Sequence, residues 1–437
     1  MCDNGRMAHH TNSSRPHRLL FGLLAISLLA ACGGSGDTKP SATDPAHATT
    51  TITTPPNSAP PTTATRRIGD ATIASIKQML AASLTDVAWD CCGAKGAPTG
   101  AAIAIRMPGA DDVLISTGSE LGGAPFDPKA PFLASNLGRS LVQSVAYRLV
   151  DSGVLDPTAT IEAWVPRMPG AKTVTVQMLL DGTTGWGDFK TAINDNVLPD
   201  LSRVWTLGEV VDVAARLGTT GGTGREIDTT VLGYILEKAT GSSIADLVRK
   251  HVTVPLGLNR TTIDIAAPKQ AGYQHGVFVL NGAVLDTASV PSDAYWSFLG
   301  AAGSATSTLP DLLDLLDAWV TGELLGTNRA ATPDKFRPDN AHPEAPTTII
   351  GQGIPVDGYC DPRTGTELKH PCTPGKRGLD VMAIGRQPNG VGTTLFLWYF
   401  PDTGISIAMH HNSEEWVSRA PLADLAIKIH DSVAASS

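Results

Sequence analysis

The hydrophobic and polar positions of the chain fall into three regimes. Residues 19–31 form an apolar run of thirteen positions without a charge. Between 46 and 64, large apolar side chains give way to Thr, Pro, Ser and Ala. From residue 68 the pattern becomes periodic. Ile73, Ile76, Met79 and Leu80 recur at helical spacing and predict a helix over 68–84. Residues 101–105 and 113–115 are short apolar runs parted by Pro108-Gly-Ala-Asp-Asp112, and read as buried strands around a turn. Leu141, Val142, Val145, Leu149 and Val150 line one side of a helix over 140–150 that Gly153 ends. Residues 173–180 lead into a polar turn at 181–185. Stretches 210–217, 231–240 and 243–252 read as helices, and 300–308 as a loop of small residues. Pro310 then opens an apolar helix to Val320, a position where proline is tolerated. Runs at 381–384, 394–400 and 405–409 read as strands, the last two joined by the hairpin turn Pro401-Asp-Thr-Gly404. A helix is expected from about 415 to 433. Strands at both ends and helices between them predict an α+β domain over 68–437. Its antiparallel sheet would form from N- and C-terminal strands, flanked by helices, with an inserted and mostly helical lobe.

Composition sets the scale. The 437 residues, 42% hydrophobic, suffice for one large core or two smaller lobes. A net charge of -9 with no basic concentration gives no reason to expect nucleic acid as a partner. Arg15 and Arg18 precede the apolar run, which is too short to span a bilayer comfortably and closes on Leu29-Ala-Ala-Cys32. Small residues before a cysteine resemble a bacterial lipobox. Residues 1–31 are thus expected to be a lipoprotein signal peptide, with Cys32 as the lipidated first residue of the mature chain. Residues 32–67 would be a Thr/Pro/Ser-rich disordered linker, since they carry too little apolar surface to offset the entropy of ordering. The expected location is exported, anchored by lipid to the bacterial cell envelope. The plainer reading is an ordinary signal peptide that ends near a cysteine, with Met7 an alternative start.

Four cysteines remain: Cys91, Cys92, Cys360 and Cys372. Export favours disulfides, and three pairings are open, with Cys360–Cys372 the first guess. Their spacing matches no zinc pattern. His410-His411 are neighbours on a strand and should point to opposite faces. No metal or cofactor is implied.

Several segments carry a resemblance in their order and spacing. They are Pro98-Thr-Gly-Ala-Ala-Ile-Ala-Ile105, Leu149-Val-Asp-Ser-Gly-Val-Leu-Asp156, Val174-Thr-Val-Gln-Met-Leu-Leu180, Leu232-Gly-Tyr-Ile-Leu-Glu-Lys-Ala-Thr-Gly241, Pro255-Leu-Gly-Leu258 and Ala302-Gly-Ser-Ala-Thr-Ser-Thr308. Together they resemble the serine β-lactamase and penicillin-binding-protein superfamily, especially its class C β-lactamase, D-alanyl-D-alanine carboxypeptidase and esterase branch. The likeness covers nearly everything from Ile68 onward, and implies a β-lactamase/transpeptidase-like fold.

The chemistry that the resemblance implies needs three motifs: S-x-x-K on a helix, Y-x-N, and K-T-G or H-x-G on an edge strand. Aligned on Phe132 and Gly153, the first motif places Asn136 at the serine and Arg139 at the lysine. Ser135 lies one position early and is the fallback nucleophile, but it would put Gly138 at the lysine. The second motif falls on Gly224 and Glu226, and the third on Gly385-Arg386-Gln-Pro388. The auxiliary histidine turn reads Gly182-Thr-Thr-Gly185. Asparagine offers no hydroxyl, and arginine stays protonated where lysine would serve as a neutral base. The expectation is a cell-envelope lipoprotein with a non-catalytic β-lactamase-like domain. Asn136, Arg139 and Arg386 would bind a peptidoglycan-derived or other carboxylate through guanidinium forks. In the plainer reading each arginine pairs with a local acid such as Asp181, Asp188 or Glu226. The alternative function is a divergent serine hydrolase of esterase or carboxypeptidase type. There is no G-x-S-x-G motif to suggest an α/β-hydrolase. Scattered tryptophans are read as packing residues.

Overall fold

Strands whose two faces are both apolar hide their alternation in the sequence, and such strands build the centre of this molecule. The computed structural model describes residues 67–86, 90–91, 94–95, 98–187, 189–218, 225–264, 272–280, 283–289, 293–332, 335–338, 348–360, 382–413 and 419–436. All fall in one compact unit spanning Thr63–Ser437. The expected signal peptide, lipidation site Cys32 and most of the linker lie outside the described residues, as do Gly224, Asp188, Cys92 and Cys372.

In chain order, the elements that position the site are α1 (Asp70–Asp86), β1 (Gly100–Arg106), β2 (Val113–Gly118), β3 (Phe132–Ser135), α2 (Gly138–Asp151), α3 (Val176–Asp181), α4 (Leu207–Leu217), α5 (Arg225–Thr240), α6 (Asp293–Gly303), β4 (Ala305–Ser307), α7 (Leu309–Thr321), β5 (Phe336–Pro338), β6 (Thr348–Gly351), β7 (Asp357–Tyr359), β8 (Ala383–Arg386), β9 (Asn389–Gly390), β10 (Thr393–Phe400), β11 (Ile405–His411) and α8 (Arg419–Ser436). The main sheet runs β2-β1-β11-β10-β8-β7-β6-β5, with β9 also on β10. Every neighbour pair is antiparallel. Strands from the two ends of the domain meet at β1–β11, as expected for an α+β fold of this kind.

The sheet is covered on both faces. Ile103, Ile105, Phe396, Trp398, Phe400, Ile407 and Met409 join Ile76 and Leu80 of α1 and Leu422 and Ile429 of α8 in one core. Ala102, Ala104, Leu395, Leu397 and Ala408 join the larger core shared with α2, α5 and α7. Each large side chain so buried contributes roughly 1.5–3 kcal/mol. The strand alternation splits His410 and His411 as expected. His411 Nε2 meets Ser83 Oγ of α1 at 2.8 Å. His410 stacks on Phe132 on the other face, with ring centroids 3.8 Å apart.

Helix α2 is the pivot of the second core. All its residues from Gly138 to Tyr147 are buried. Trp319 of α7 donates to Ser144 Oγ at 2.9 Å, and Gln143 donates to the carbonyl of Leu180 at 2.7 Å. Helix α4 opens on a capping box of Thr206 and Glu209. Two sequence expectations change. Helix α5 begins six residues before the expected 231, because Asp228, Thr229 and Thr230 are buried there although polar. The stretch 300–308 is no loop: α6 kinks at Gly300 (φ 48°) and β4 then pairs with β3. The last helix is described over Arg419–Ser436, and its expected start at about 415 lies outside the described residues.

One close contact fixes α2. A Cβ on Gly138 would lie 2.4 Å from the carbonyl oxygen of Ala301, a backbone atom with little room to yield. Gly138→Ala is expected to destabilise the fold by about 2–3 kcal/mol through overpacking, read as a lower midpoint in denaturant unfolding.

Candidate functional site

The site forms where β3 passes into α2. Ser135, at the end of β3, is the one non-glycine residue among those described with positive φ, at 46°. It follows a register shift between Leu133 and Ser135. The side chain fits because Gly390 of β9 has none: a Cβ there would stand 2.1 Å from Ser135 Oγ. Asn136 is half-buried beside it, and its Nδ2 donates to Asn389 Oδ1 at 3.4 Å. The backbone N–H of Arg139 reaches the carbonyl of Asn136 at 3.2 Å, so the two residues stand one helical turn apart. This is the spacing of the S-x-x-K positions onto which the sequence reading places them. Ser135 is the more deeply buried of the two, and both face β9.

The charges of the site converge on one carboxylate. Asp357 of β7 is buried, and its Oδ2 accepts a charge-assisted hydrogen bond from Arg386 Nη1. Arg139 Nη1 lies 3.9 Å from the same oxygen. Burial alone would push the Asp357 carboxyl up, but Arg386, Arg139 and Arg225 outweigh it and hold the group below its usual range. Arg225, at the start of α5, lays its stem over Gly182, where a Cβ would meet its Cγ at 3.1 Å. Arg139 has the opposite problem. Burial, then the like charges of Arg225 and Arg386, lower its pKa to about 9 against the pull of Asp357. It remains a cation at neutral pH.

Several polar atoms here lack partners. The Arg139 guanidinium is nine-tenths buried, yet makes no side-chain hydrogen bond among the described residues. Arg386 Nε and Asn136 Oδ1 are buried without a partner, as is Tyr147 OH on α2. Burial is the main cause that raises the Tyr147 phenol. Asp228 on α5 is a second buried carboxyl, and accepts from Thr184 Oγ1 at 2.5 Å. Burial pushes it up to about 7 against the hydrogen bonds of Thr184 and the charge of Arg139. Burial likewise raises Asp181, against Gln177 and Arg139.

The structure thus brings together Arg139 and Arg386, with Asn136 one turn from Arg139. It leaves Gly224 outside the described residues. Among the described residues the acid that pairs with Arg139 and Arg386 is Asp357, rather than Asp181 or Glu226; Asp188 lies outside them. Asp357, Arg225 and Asp228 were not singled out from the sequence. Their one signal is an acid set among buried positions: Asp357 follows Val356, and Asp228 sits between Ile227 and Val231. No group of His, Cys, Asp and Glu suited to a metal occurs among the described residues. Cys360 is buried, but Cys92 and Cys372 are not described, so the expected pairing lies outside the described residues.

Comparison with known proteins gives a consistent picture. The family described as Beta-lactamase matches residues 93–431. Penicillin-binding protein 4* of Bacillus subtilis (strain 168) is 25% identical over 146 residues, 32% of this chain and 32% of that protein. The alignment therefore spans about a third of that curated relative. Among solved structures, D-amino acid amidase from Ochrobactrum anthropi SV3 superposes with a TM-score of 0.65 at 20% identity, covering 84% of this chain and 99% of that one. A penicillin-binding protein from Bacillus halodurans gives 0.59 at 16% identity, covering 76% and 95%. At these identities the structural likeness speaks for the fold.

Asp228 generates a pH signature. Its folded pKa is raised, so the folded chain keeps a proton that the unfolded chain loses above about 3.9. This contribution to stability is greatest at acid pH, declines as pH rises, and levels off above about 7. Asp228→Asn is expected to match wild type below about pH 4 and to gain on it by up to roughly 4 kcal/mol at pH 8. Thermal melts of both proteins across that range check this.

Proposed function

The chain belongs to the Beta-lactamase family, and from that premise we propose that it is a non-catalytic member whose cleft binds a carboxylate-bearing component of the cell wall. In this reading Cys32 carries a lipid that anchors the domain to the envelope, with residues 33–67 as a spacer. The observation that carries the binding reading is Arg139: a buried guanidinium with five N–H donors and, among the described residues, no side-chain hydrogen bond. Leaving such a group unsatisfied is costly, and a carboxylate accepts from a guanidinium in bidentate fashion. Arg386 Nε is a further donor, and Asn136 Oδ1 an acceptor for a ligand N–H. One carboxylate with an amide N–H nearby would suit all three, and the end of a peptide stem has that chemistry. The non-catalytic part rests on the residues one turn apart on α2. Asn136 has no nucleophilic oxygen, and Arg139 is no neutral base.

A second reading, a divergent serine hydrolase with Ser135 as nucleophile, is favoured by one observation. A non-glycine residue in left-handed backbone stores strain, and such residues cluster at functional sites.

Two measurements separate these readings. A muropeptide with a free terminal carboxylate should bind wild type and lose at least about tenfold in affinity with Arg139→Ala, the scale of one charge-assisted hydrogen bond. Its amidated counterpart should bind weakly. Equal affinity of wild type, Arg139→Ala and Arg386→Ala would remove the binding site. Labelling with a penicillin probe and a fluorophosphonate is expected to fail. Labelling that appears in wild type and vanishes in Ser135→Ala would establish the hydrolase instead.

A further inference from the structure

The carboxylate-binding reading treats the arginines as the whole of the site, yet a second buried acid stands beside them with no cation of its own. Asp228 lies in the first turn of α5, which packs against α2, and is 2% exposed. Among the described residues its side-chain partner is Thr184, a neutral donor. Asp357, by contrast, is engaged by Arg386. Arg139 lies 3.9 Å from Asp357, and its positive charge also favours the ionised form of Asp228.

We propose that the cleft takes up one proton together with its carboxylate ligand, and that Asp228 is the group that holds the proton. The proposal rests on the binding reading above and specifies how that site is controlled. Ionised, Asp228 supplies Arg139 with an internal counter-charge and repels an incoming anion across a low-dielectric interior. Protonated, it does neither, and the full field of Arg139, Arg225 and Arg386 acts on the ligand against Asp357 alone. By linkage, an anion that binds better to the protonated state must raise the affinity of Asp228 for its proton. The balance is plain: one carboxylate enters, one proton is taken from solvent onto Asp228, and the site charge stays where it began. Burial places the apo carboxyl at about 7, so the coupling falls in a physiological range.

Other charges around Asp228 do not replace it in this role. On its own helix Glu226 raises it, and Arg225 acts mainly through Asp357. From α2 the charge is Arg139. From α3 it is Asp181, the one competitor for the proton, whose Oδ1 already accepts from Gln177 at 2.9 Å. On α4, Glu209 is engaged by Arg203 and Asp212 by Arg167. On α6, Asp293 has a partner of its own.

Calorimetric titration of the full chain with the free-carboxylate muropeptide, in buffers of different ionisation enthalpy, reads both affinity and proton uptake. For wild type, affinity should be level below about pH 6 and fall by up to about tenfold per pH unit above pH 7, with proton uptake appearing in that range. Asp228→Asn should keep the acid-side affinity to pH 8.5 without the uptake. Asp181→Asn should behave as wild type. Thr184→Val, which removes a hydrogen bond that favours the ionised acid, should move the fall to higher pH. A pH-independent wild-type affinity overturns the proposal and leaves the binding site standing. So does a fall that survives in Asp228→Asn or is lost in Asp181→Asn. Absence of muropeptide binding at pH 6 overturns the binding reading and this one with it.

Discussion

Asp357 is the charge on which the cleft depends. Burying one carboxylate is unfavourable, and burying the guanidinium groups of Arg139 and Arg386 is more so; each is tolerable because of the other. Asp357 reaches the arginines from β7, where its backbone is fixed opposite Gly385 of β8. Arg386 ends β8, Arg139 begins α2, and Arg225 begins α5. One acid therefore ties the sheet to two helices of the larger core. The cancellation is incomplete, since three cations meet one firmly ionised anion. That residual positive charge is what the proposed anion binding rests on, and it makes the protonation of nearby acids matter.

An arginine rather than a lysine at position 139 matters for more than basicity. A lysine amine can shed its proton when buried, and so escape the cost of desolvation. Arginine keeps its charge, and must be met by an anion from the protein or from a ligand. The environment here supplies half of that: a contact to Asp357 at 3.9 Å, longer than a hydrogen bond. The same burial that would activate a lysine leaves arginine in need of a partner.

Much of the fold was legible in the sequence because it rests on apolar runs and glycine stops. The strands at 101–105, 394–400 and 405–409, and the helix ending at Gly153, emerge close to where the pattern puts them. Errors came where burial and polarity part company. The first turns of α5 carry Asp228, Thr229 and Thr230 inside the protein, and a reading by apolar period starts that helix too late. Small residues from Gly300 to Ser307 looked like a loop, yet they pack a kinked helix end and a strand against β3. Motif register brought Asn136, Arg139 and Arg386 to one place. It could not name Asp357, whose partners are 218 and 29 positions away along the chain, as 357 − 139 and 386 − 357 give.

The pairing of β1 with β11 has a further consequence for how the chain is made. Arg106 lies opposite Ser406, so the central ladder joins positions 300 residues apart. A ribosome releases the first of these strands long before it has synthesised the second. Until then β1 and β2 can form only a hairpin with one bare edge, a template for misplaced pairing. High contact order of this kind slows folding, and places the decisive step after β11 has been made. The last strand to be synthesised is the one that completes the sheet's interior, so truncations near the C-terminus should be as damaging to this protein as any change in its cleft.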